Sequence, residues 1–253
     1  MNIDLTGKTA IVGGSSKGIG KSTATELADS GASVLLFARD KAKLQTLSKE
    51  LDTSKGQNHE YYAIDYSNPS DVQSIISEIT NHRSIHILVN NTGGPPGGPA
   101  HKADLEEYRN AFEQHVICNQ ILTQAVIPGM QAANYGRIVN IISTSVKQPI
   151  PNLGVSNTIR GAVANWSKTL SMELAPFGIT VNNVLPGATE TDRLDGIIQN
   201  KVNKTGQNED EVIRGMKEGI PAKRFGKPEE LAYTIIFLVS EYAGYINGVN
   251  LPV

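Results

Sequence analysis

The chain has a single cysteine and a single tryptophan in 253 residues, and neither sign of charge is in surplus. One thiol, Cys118, excludes an intramolecular disulfide and suits a reducing compartment, so a cytoplasmic location is expected. Lys and Arg number 23 against 25 Asp and Glu, a net charge of −2. Without a basic excess there is no field for gripping a phosphate backbone, and nucleic acid is not an expected partner. Long apolar runs are missing as well. The opening MNIDLTGKTAIVGG lacks the basic-then-apolar layout of a signal peptide. Stretches such as Ile235 to Val239 fall far short of the ~20 residues that cross a bilayer, so no membrane span is expected. No metal site is expected either. What the chain does have is 39% hydrophobic residues, enough for a full-sized core.

Those residues are distributed as short β-branched runs alternating with segments of helical period, the pattern of an α/β fold whose parallel sheet is buried on both faces. Strands are predicted at Thr9-Val12, Ser33-Ala38, Tyr61-Ile64, His86-Asn90, Arg137-Ile142, Ile179-Leu185 and Val249-Leu251. Pro69 and Pro228 stand at first helical positions, and Asp104 with Glu107 resembles a capping box. The sevenfold alternation has no repeat, linker or composition break, so residues 1–253 are read as one domain. Two stretches read as irregular: the Gly- and Pro-rich Asn91-Ala103, and Asp192-Pro221, whose length suits an active-site lid over 192–221.

Directly after the first strand come Gly13-Gly14-Ser15-Ser16-Lys17-Gly18-Ile19-Gly20 and a helical segment. A glycine cluster alone is often only a tight turn. Between strand and helix in the first βαβ unit, however, small residues let the backbone approach a pyrophosphate at a helix N-terminus with free N–H groups. Gly14, Ser16, Lys17, Gly18, Ile19 and Gly20 are therefore candidate cofactor contacts. The second strand ends Phe37-Ala38-Arg39, without the acid that would bind a ribose 2′-OH. Arg39 and Lys17 suit a 2′-phosphate instead, which favours NADP (NADPH) over NAD; the bland alternative is a solvated Arg39 neutralised by Asp40.

With these features the chain resembles the short-chain dehydrogenase/reductase family, most closely its 3-oxoacyl-carrier-protein-reductase-like branch. Asp65 follows the third strand where the family places an adenine contact. Asn90-Asn91-Thr92-Gly93 follows the fourth strand like the family's Asn-Asn-Ala-Gly, adding Asn91 and Gly93 to the cofactor set. Pro186-Gly187-Ala188-Thr189-Glu190-Thr191 follows the sixth strand, where Pro186, Gly187, Thr189 and Thr191 match residues at the nicotinamide end. The resemblance implies a single Rossmann-like, doubly wound domain with a seven-stranded parallel sheet, a nicotinamide cofactor, and a homodimer or homotetramer. Gly13 departs from the usual threonine. The chain also stops at Val253, where family members continue several residues past the last strand, so a shortened C-terminus is expected.

The larger departure is in the catalytic set. Family members reduce a carbonyl with Asn, Ser, Tyr and Lys, the serine and tyrosine 13 residues apart and the tyrosine four before the lysine. Ser143 fits the serine, which puts Ser156 at the tyrosine position, Arg160 at the lysine and His115 at the asparagine. A shifted register does not restore the motif, because no tyrosine lies between Gly136 and Ala232.

A phenol near pKa ~10, lowered by a lysine, exchanges a proton with a carbonyl oxygen; a serine is a far weaker acid. Arg160 does not titrate usefully but stabilises an oxyanion or holds the cofactor ribose. His115 adds proton-transfer capacity and is the candidate donor, through water or Ser143; the competing reading is a packed, hydrogen-bonded core histidine. Lys147 is either a contact for an anionic substrate or a solvated lysine. The Gly93-to-Pro99 loop either shapes a substrate mouth or merely connects. Ile159, Ala162, Val163, Trp166, Leu170 and Leu174 keep helical spacing as core, with part of the stripe free to face a partner subunit.

Two functions remain open on this sequence. One is an NADP-dependent oxidoreductase acting on a carbonyl or alcohol, with Ser143, Ser156, Arg160 and His115 at the reacting end. The other is an NADP-binding protein without dehydrogenase activity, a sensor or regulatory subunit.

Overall fold

Strands with unbroken Val, Ile and Leu runs, such as Ile11-Val12 or Val34-Leu35-Leu36-Phe37, are shielded on both faces, and the structure provides that shielding with helices on each side. The computed structural model describes residues 2–253. In chain order the elements are β1 (Thr9–Gly13), α1 (Gly18–Asp29), β2 (Ser33–Ala38), α2 (Lys41–Glu50), β3 (Glu60–Ala63) and α3 (Pro69–His82). Next come β4 (Ile87–Asn90), α4 (Leu105–Phe112), α5 (Cys118–Ala132), β5 (Gly136–Ile141), α6 (Gly154–Leu174) and β6 (Ile179–Leu185). The chain finishes with α7 (Asp192–Thr205), α8 (Glu209–Glu218), α9 (Pro228–Val239) and β7 (Asn250–Pro252).

All seven strands are parallel, in the order β3-β2-β1-β4-β5-β6-β7. This is the single α/β domain with a parallel sheet expected from the alternation, in the Rossmann-like form that the resemblance implies. Side chains alternate between two cores. Ala10, Val12, Val34 and Leu36 pack with Leu27 of α1 and Leu231 and Ile235 of α9 on one face. Ile11, Leu35 and Phe37 pack with Ile76 of α3 and Leu122 and Val126 of α5 on the other. A row of buried amides ties the C-terminal half of the sheet together: Asn90 Nδ2 donates to Asn140 Oδ1 (2.8 Å), Asn140 Nδ2 to Asn183 Oδ1 (3.0 Å), and Asn183 Nδ2 to Asn250 Oδ1 (2.7 Å).

Strand ends differ from expectation by a residue, as at β3 and β7. Pro69 and Pro228 do open α3 and α9, where fixed φ and a missing N–H cost nothing. Asp104 is the N-cap of α4, but its carboxylate caps nothing; Glu107 N–H bonds the Asp104 carbonyl instead, so there is no capping box. The segment 192–221 is not irregular. It forms α7 and α8, whose Leu194, Ile198 and Val212 close with Phe225 over a small core of their own. Residues 91–103 are mostly without regular structure, with one turn of 3₁₀ helix at Ala100–Lys102 and a bridge from Gly98 to Leu153.

Candidate functional site

Strand order reverses between β1 and β4, and the loops leaving their C-terminal ends open a crevice there. The glycine loop forms one wall. Gly14 and Gly18 hold φ of +58° and +53°, a left-handed region that suits glycine. A Cβ on Gly20 would lie 2.2 Å from the Gly14 carbonyl, so the turn closes only without a side chain. Lys17 is the N-cap of α1 and its side chain makes no cap bond, leaving the first helical N–H groups facing the crevice unpaid by any side chain. Ser16 and Ile19 are half-buried beside them.

The opposite wall is braced onto this loop. Asn91 Nδ2 donates to the Gly13 carbonyl at 3.0 Å. The departure at Gly13 has a local cause, since a Cβ there would sit 2.7 Å from the Asn91 carbonyl and 2.9 Å from the buried Tyr66 hydroxyl. Beyond β6, Gly187 N–H bonds Val253, and Thr189 is bridged to Gly226. Thr191, the N-cap of α7, packs against Gly18, where a Cβ would meet its methyl at 3.1 Å. Pro186 is half-buried at the start of the same loop. The structure thus brings Gly14, Gly18, Gly20, Asn91 and Thr191 to one crevice, whose glycine wall leaves backbone open to a dinucleotide.

Two of the polar contacts read from sequence are partly engaged elsewhere. Lys17 Nζ is paired with Asp192 Oδ2 at 2.6 Å, tying the glycine loop to the start of α7 rather than standing free for a 2′-phosphate. Arg39 is exposed at the end of β2, and its charge reaches the carboxylate of Asp65. That carboxylate accepts from Ser67 N–H (3.0 Å), which holds its pKa below the usual range. Gly93 is exposed, with open space where a side chain would stand.

The reacting end gathers around the top of β5 and the first turns of α6. Ser143 follows β5, and its Oγ accepts from Ser145 N–H at 3.0 Å. Ser156 and Arg160, one turn apart on α6, share a face. Arg160 is 8% exposed, and its Nη1 donates to the Ile141 carbonyl at 3.0 Å. Burial, and then the charge of Arg193, lower its pKa to about 10, which leaves it charged at neutral pH.

His115 lies in a π-helical turn, Glu113–Ile117, between α4 and α5. Such insertions bend a helix to re-aim a side chain and are frequent at functional sites. The ring is 1% exposed, its Nδ1 is 2.5 Å from Thr92 Oγ1, and its Nε2 has no partner. Burial first, and then Arg160, push its pKa down to about 2. An imidazole held neutral in this way does not serve as the cationic proton donor that the sequence suggested.

Arg193 was not singled out from the sequence, because 192–221 read as irregular. It stands in the first turn of α7, and its Nη2 donates to the Pro95 carbonyl at 3.0 Å across the crevice mouth. Lys147, by contrast, is exposed just after the turn at Thr144–Val146. Among the described residues, no group of three or more His, Cys, Asp and Glu is placed to hold a metal, and no helix is long and apolar enough to cross a membrane.

Comparison with known proteins places this geometry among oxidoreductases. Residues 14–253 match the family model described as enoyl-(acyl carrier protein) reductase. The 3-oxoacyl-[acyl-carrier-protein] reductase of Vibrio cholerae is 33% identical over 254 aligned positions, 99% of this chain and 97% of the relative. The NADPH-dependent reductase BacG of Bacillus subtilis is 30% identical, covering 95% of this chain and 94% of its own. Among solved structures, L-sorbose reductase from Gluconobacter frateurii, complexed with NADPH and L-sorbose, superposes with a TM-score of 0.92 at 30% identity, over 100% of this chain and 97% of its own.

Proposed function

Because the chain belongs to the short-chain dehydrogenase/reductase family, in its 3-oxoacyl-carrier-protein-reductase-like branch, we propose that it is an NADP-dependent oxidoreductase acting on a carbonyl or alcohol substrate. The observation that carries this reading is the cradle of Gly14, Gly18 and Gly20 at the uncapped start of α1, braced by Asn91. Bound there, the dinucleotide supplies hydride transfer. Gly14, Ser16, Lys17, Gly18, Ile19 and Gly20 would hold its phosphates, and Arg39 the 2′-phosphate. Asp65, Asn91 and Gly93 would line the adenine side and the floor. Pro186, Gly187, Thr189 and Thr191 would position the nicotinamide end. NADPH-dependent and NADPH-bound relatives support the choice of NADP.

In this reading Ser156 and Arg160 occupy the family's tyrosine and lysine positions. The hydroxyls of Ser143 and Ser156 donate to the substrate oxygen, and the Arg160 guanidinium stabilises the negative charge that develops on it. Neutral His115 holds the Thr92 loop against this centre. It offers Nε2–H as a hydrogen-bond donor when Thr92 donates to Nδ1. General acid catalysis is worth ~10²–10⁴-fold, so an enzyme relying on electrostatics, with the proton coming from solvent, turns over slowly rather than not at all. The non-catalytic alternative has less support, since the relatives are reductases and the replacements are polar and cationic rather than apolar.

Helices α7 and α8 would act as a lid, latched by the Lys17–Asp192 pair. Exposed Leu105, Phe112 and Ile117 suit a face shared with another copy in a homodimer or homotetramer. A cytoplasmic location accords with the lone buried thiol. The function is tested by titrating the protein with NADPH and NADH and then following nicotinamide absorbance across carbonyl compounds; NADPH oxidation by at least one of them is expected.

A further inference from the structure

Buried charges in proteins are ordinarily paired, because removing a guanidinium from water carries a desolvation cost that only an opposite charge or a full set of acceptors offsets. Arg160 breaks this pattern. It is buried, the hydrogen bond it makes is to the neutral Ile141 carbonyl, and no carboxylate forms an ion pair with it among the described residues. The charged group that does reach it is a second cation, Arg193, and His115 beside it is neutral. Arg193 is likewise without a carboxylate partner among the described residues; it is held over the crevice mouth by the Pro95 carbonyl. A third polar group in the same place is unsatisfied: His115 Nε2, buried without a partner.

Two guanidiniums and an idle imidazole nitrogen around one crevice, with no acid among them, make a site whose complement is absent from the protein itself. A developing alkoxide answers only part of this, since it exists only during reaction and calls for one positive charge rather than two. The dinucleotide phosphates belong at the start of α1, on the glycine-loop side. We propose that the substrate carries, besides its reacting carbonyl, a permanent anionic oxygen group, a carboxylate or a phosphate, received between Arg160 and Arg193. This rests on the oxidoreductase reading above and names the substrate class of the same site. Forked guanidiniums suit either oxyanion, and Arg193, exposed at the rim, draws the anion inward towards the buried Arg160.

Calorimetric titration of the protein–NADP⁺ complex with matched pairs tests this: acetoacetate against its methyl ester, and dihydroxyacetone phosphate against dihydroxyacetone. The charged member of one pair is expected to bind about tenfold or more tightly, and which pair responds separates carboxylate from phosphate. Arg193→Gln abolishes the preference, Arg193→Lys restores part of it, and NADP⁺ affinity is unchanged in both. Arg160→Met also abolishes it; should that variant not fold, the Arg193 pair and the wild-type comparison decide. Equal binding of charged and neutral members, no binding of either anion, or a preference that survives Arg193→Gln overturns the inference. An anion preference without NADPH oxidation by any carbonyl compound sustains the anion site and overturns the oxidoreductase reading instead.

Discussion

The Thr92 hydroxyl lies 2.5 Å from Nδ1 of His115, a ring 1% exposed whose other nitrogen has no partner. With its pKa depressed to about 2, His115 is neutral in the fold and protonated below pH ~6.5 in the unfolded chain. The unfolded state then binds the extra proton, so the stability from this group is complete above pH ~6.5 and is lost as the pH falls towards 2. Urea titrations between pH 6.5 and 4.5 should show stability falling by at most about 1.4 kcal/mol per pH unit from this residue. His115→Gln should flatten that slope. An unchanged slope in the variant contradicts the neutral assignment.

Arg39 and Lys17 should not contribute equally to cofactor choice. Arg39 makes no ion pair among the described residues, whereas Lys17 is paired with Asp192 at 2.6 Å. Arg39→Ala is expected to weaken NADPH binding about tenfold or more and to leave NADH nearly unaffected. Lys17→Ala should cost less, and Asp192→Asn, which frees the lysine, should tighten NADPH slightly. Fluorescence titration of each variant with both dinucleotides checks this, and equal losses on NADPH and NADH for Arg39→Ala refute the 2′-phosphate role.

Asn140 is wholly buried and bonds Asn90, Asn183 and Ser167. Asn140→Ala leaves their polar atoms without partners and should cost about 2–4 kcal/mol in urea denaturation. Asn250, at the half-buried end of the row, should cost less when replaced by alanine.

Gly13→Thr, which restores the family's usual residue, should destabilise rather than improve the protein. Its Cβ would stand 2.7 Å from the Asn91 carbonyl and 2.9 Å from the Tyr66 hydroxyl. A loss of about 1–3 kcal/mol is expected, partly recovered by adding Tyr66→Phe. Thermal unfolding of the two single variants and the double variant measures the coupling.

How far such features can be read without coordinates depends on their range. The strands were legible because a parallel strand buried on both faces must be a continuous Val, Ile and Leu run, and the glycine loop because left-handed backbone favours glycine. Helices α7 and α8 were missed, since their buried residues are few and are set among Lys, Asn, Gln and Asp, even though Leu194, Ile198 and Val202 keep fourfold spacing. Arg193 was hidden with them. The neutrality of His115 was not legible either: it depends on burial and on Arg160, 45 positions later, meeting it in space. In the same way Lys17 reads as a free cation until α7 brings Asp192 to it.

The central claim is that this fold moves hydride without the family's carbonyl-activating phenol, relying instead on Ser143, Ser156 and Arg160. The direct measurement is steady-state oxidation of NADPH by carbonyl compounds, with wild type, Ser143→Ala and Arg160→Met compared from pH 6 to 9. The account predicts turnover by the wild type with no ionisation of a catalytic acid in that window, and a drop of roughly 10²-fold or more in kcat for each variant. Tight NADPH binding without oxidation by any compound would contradict it.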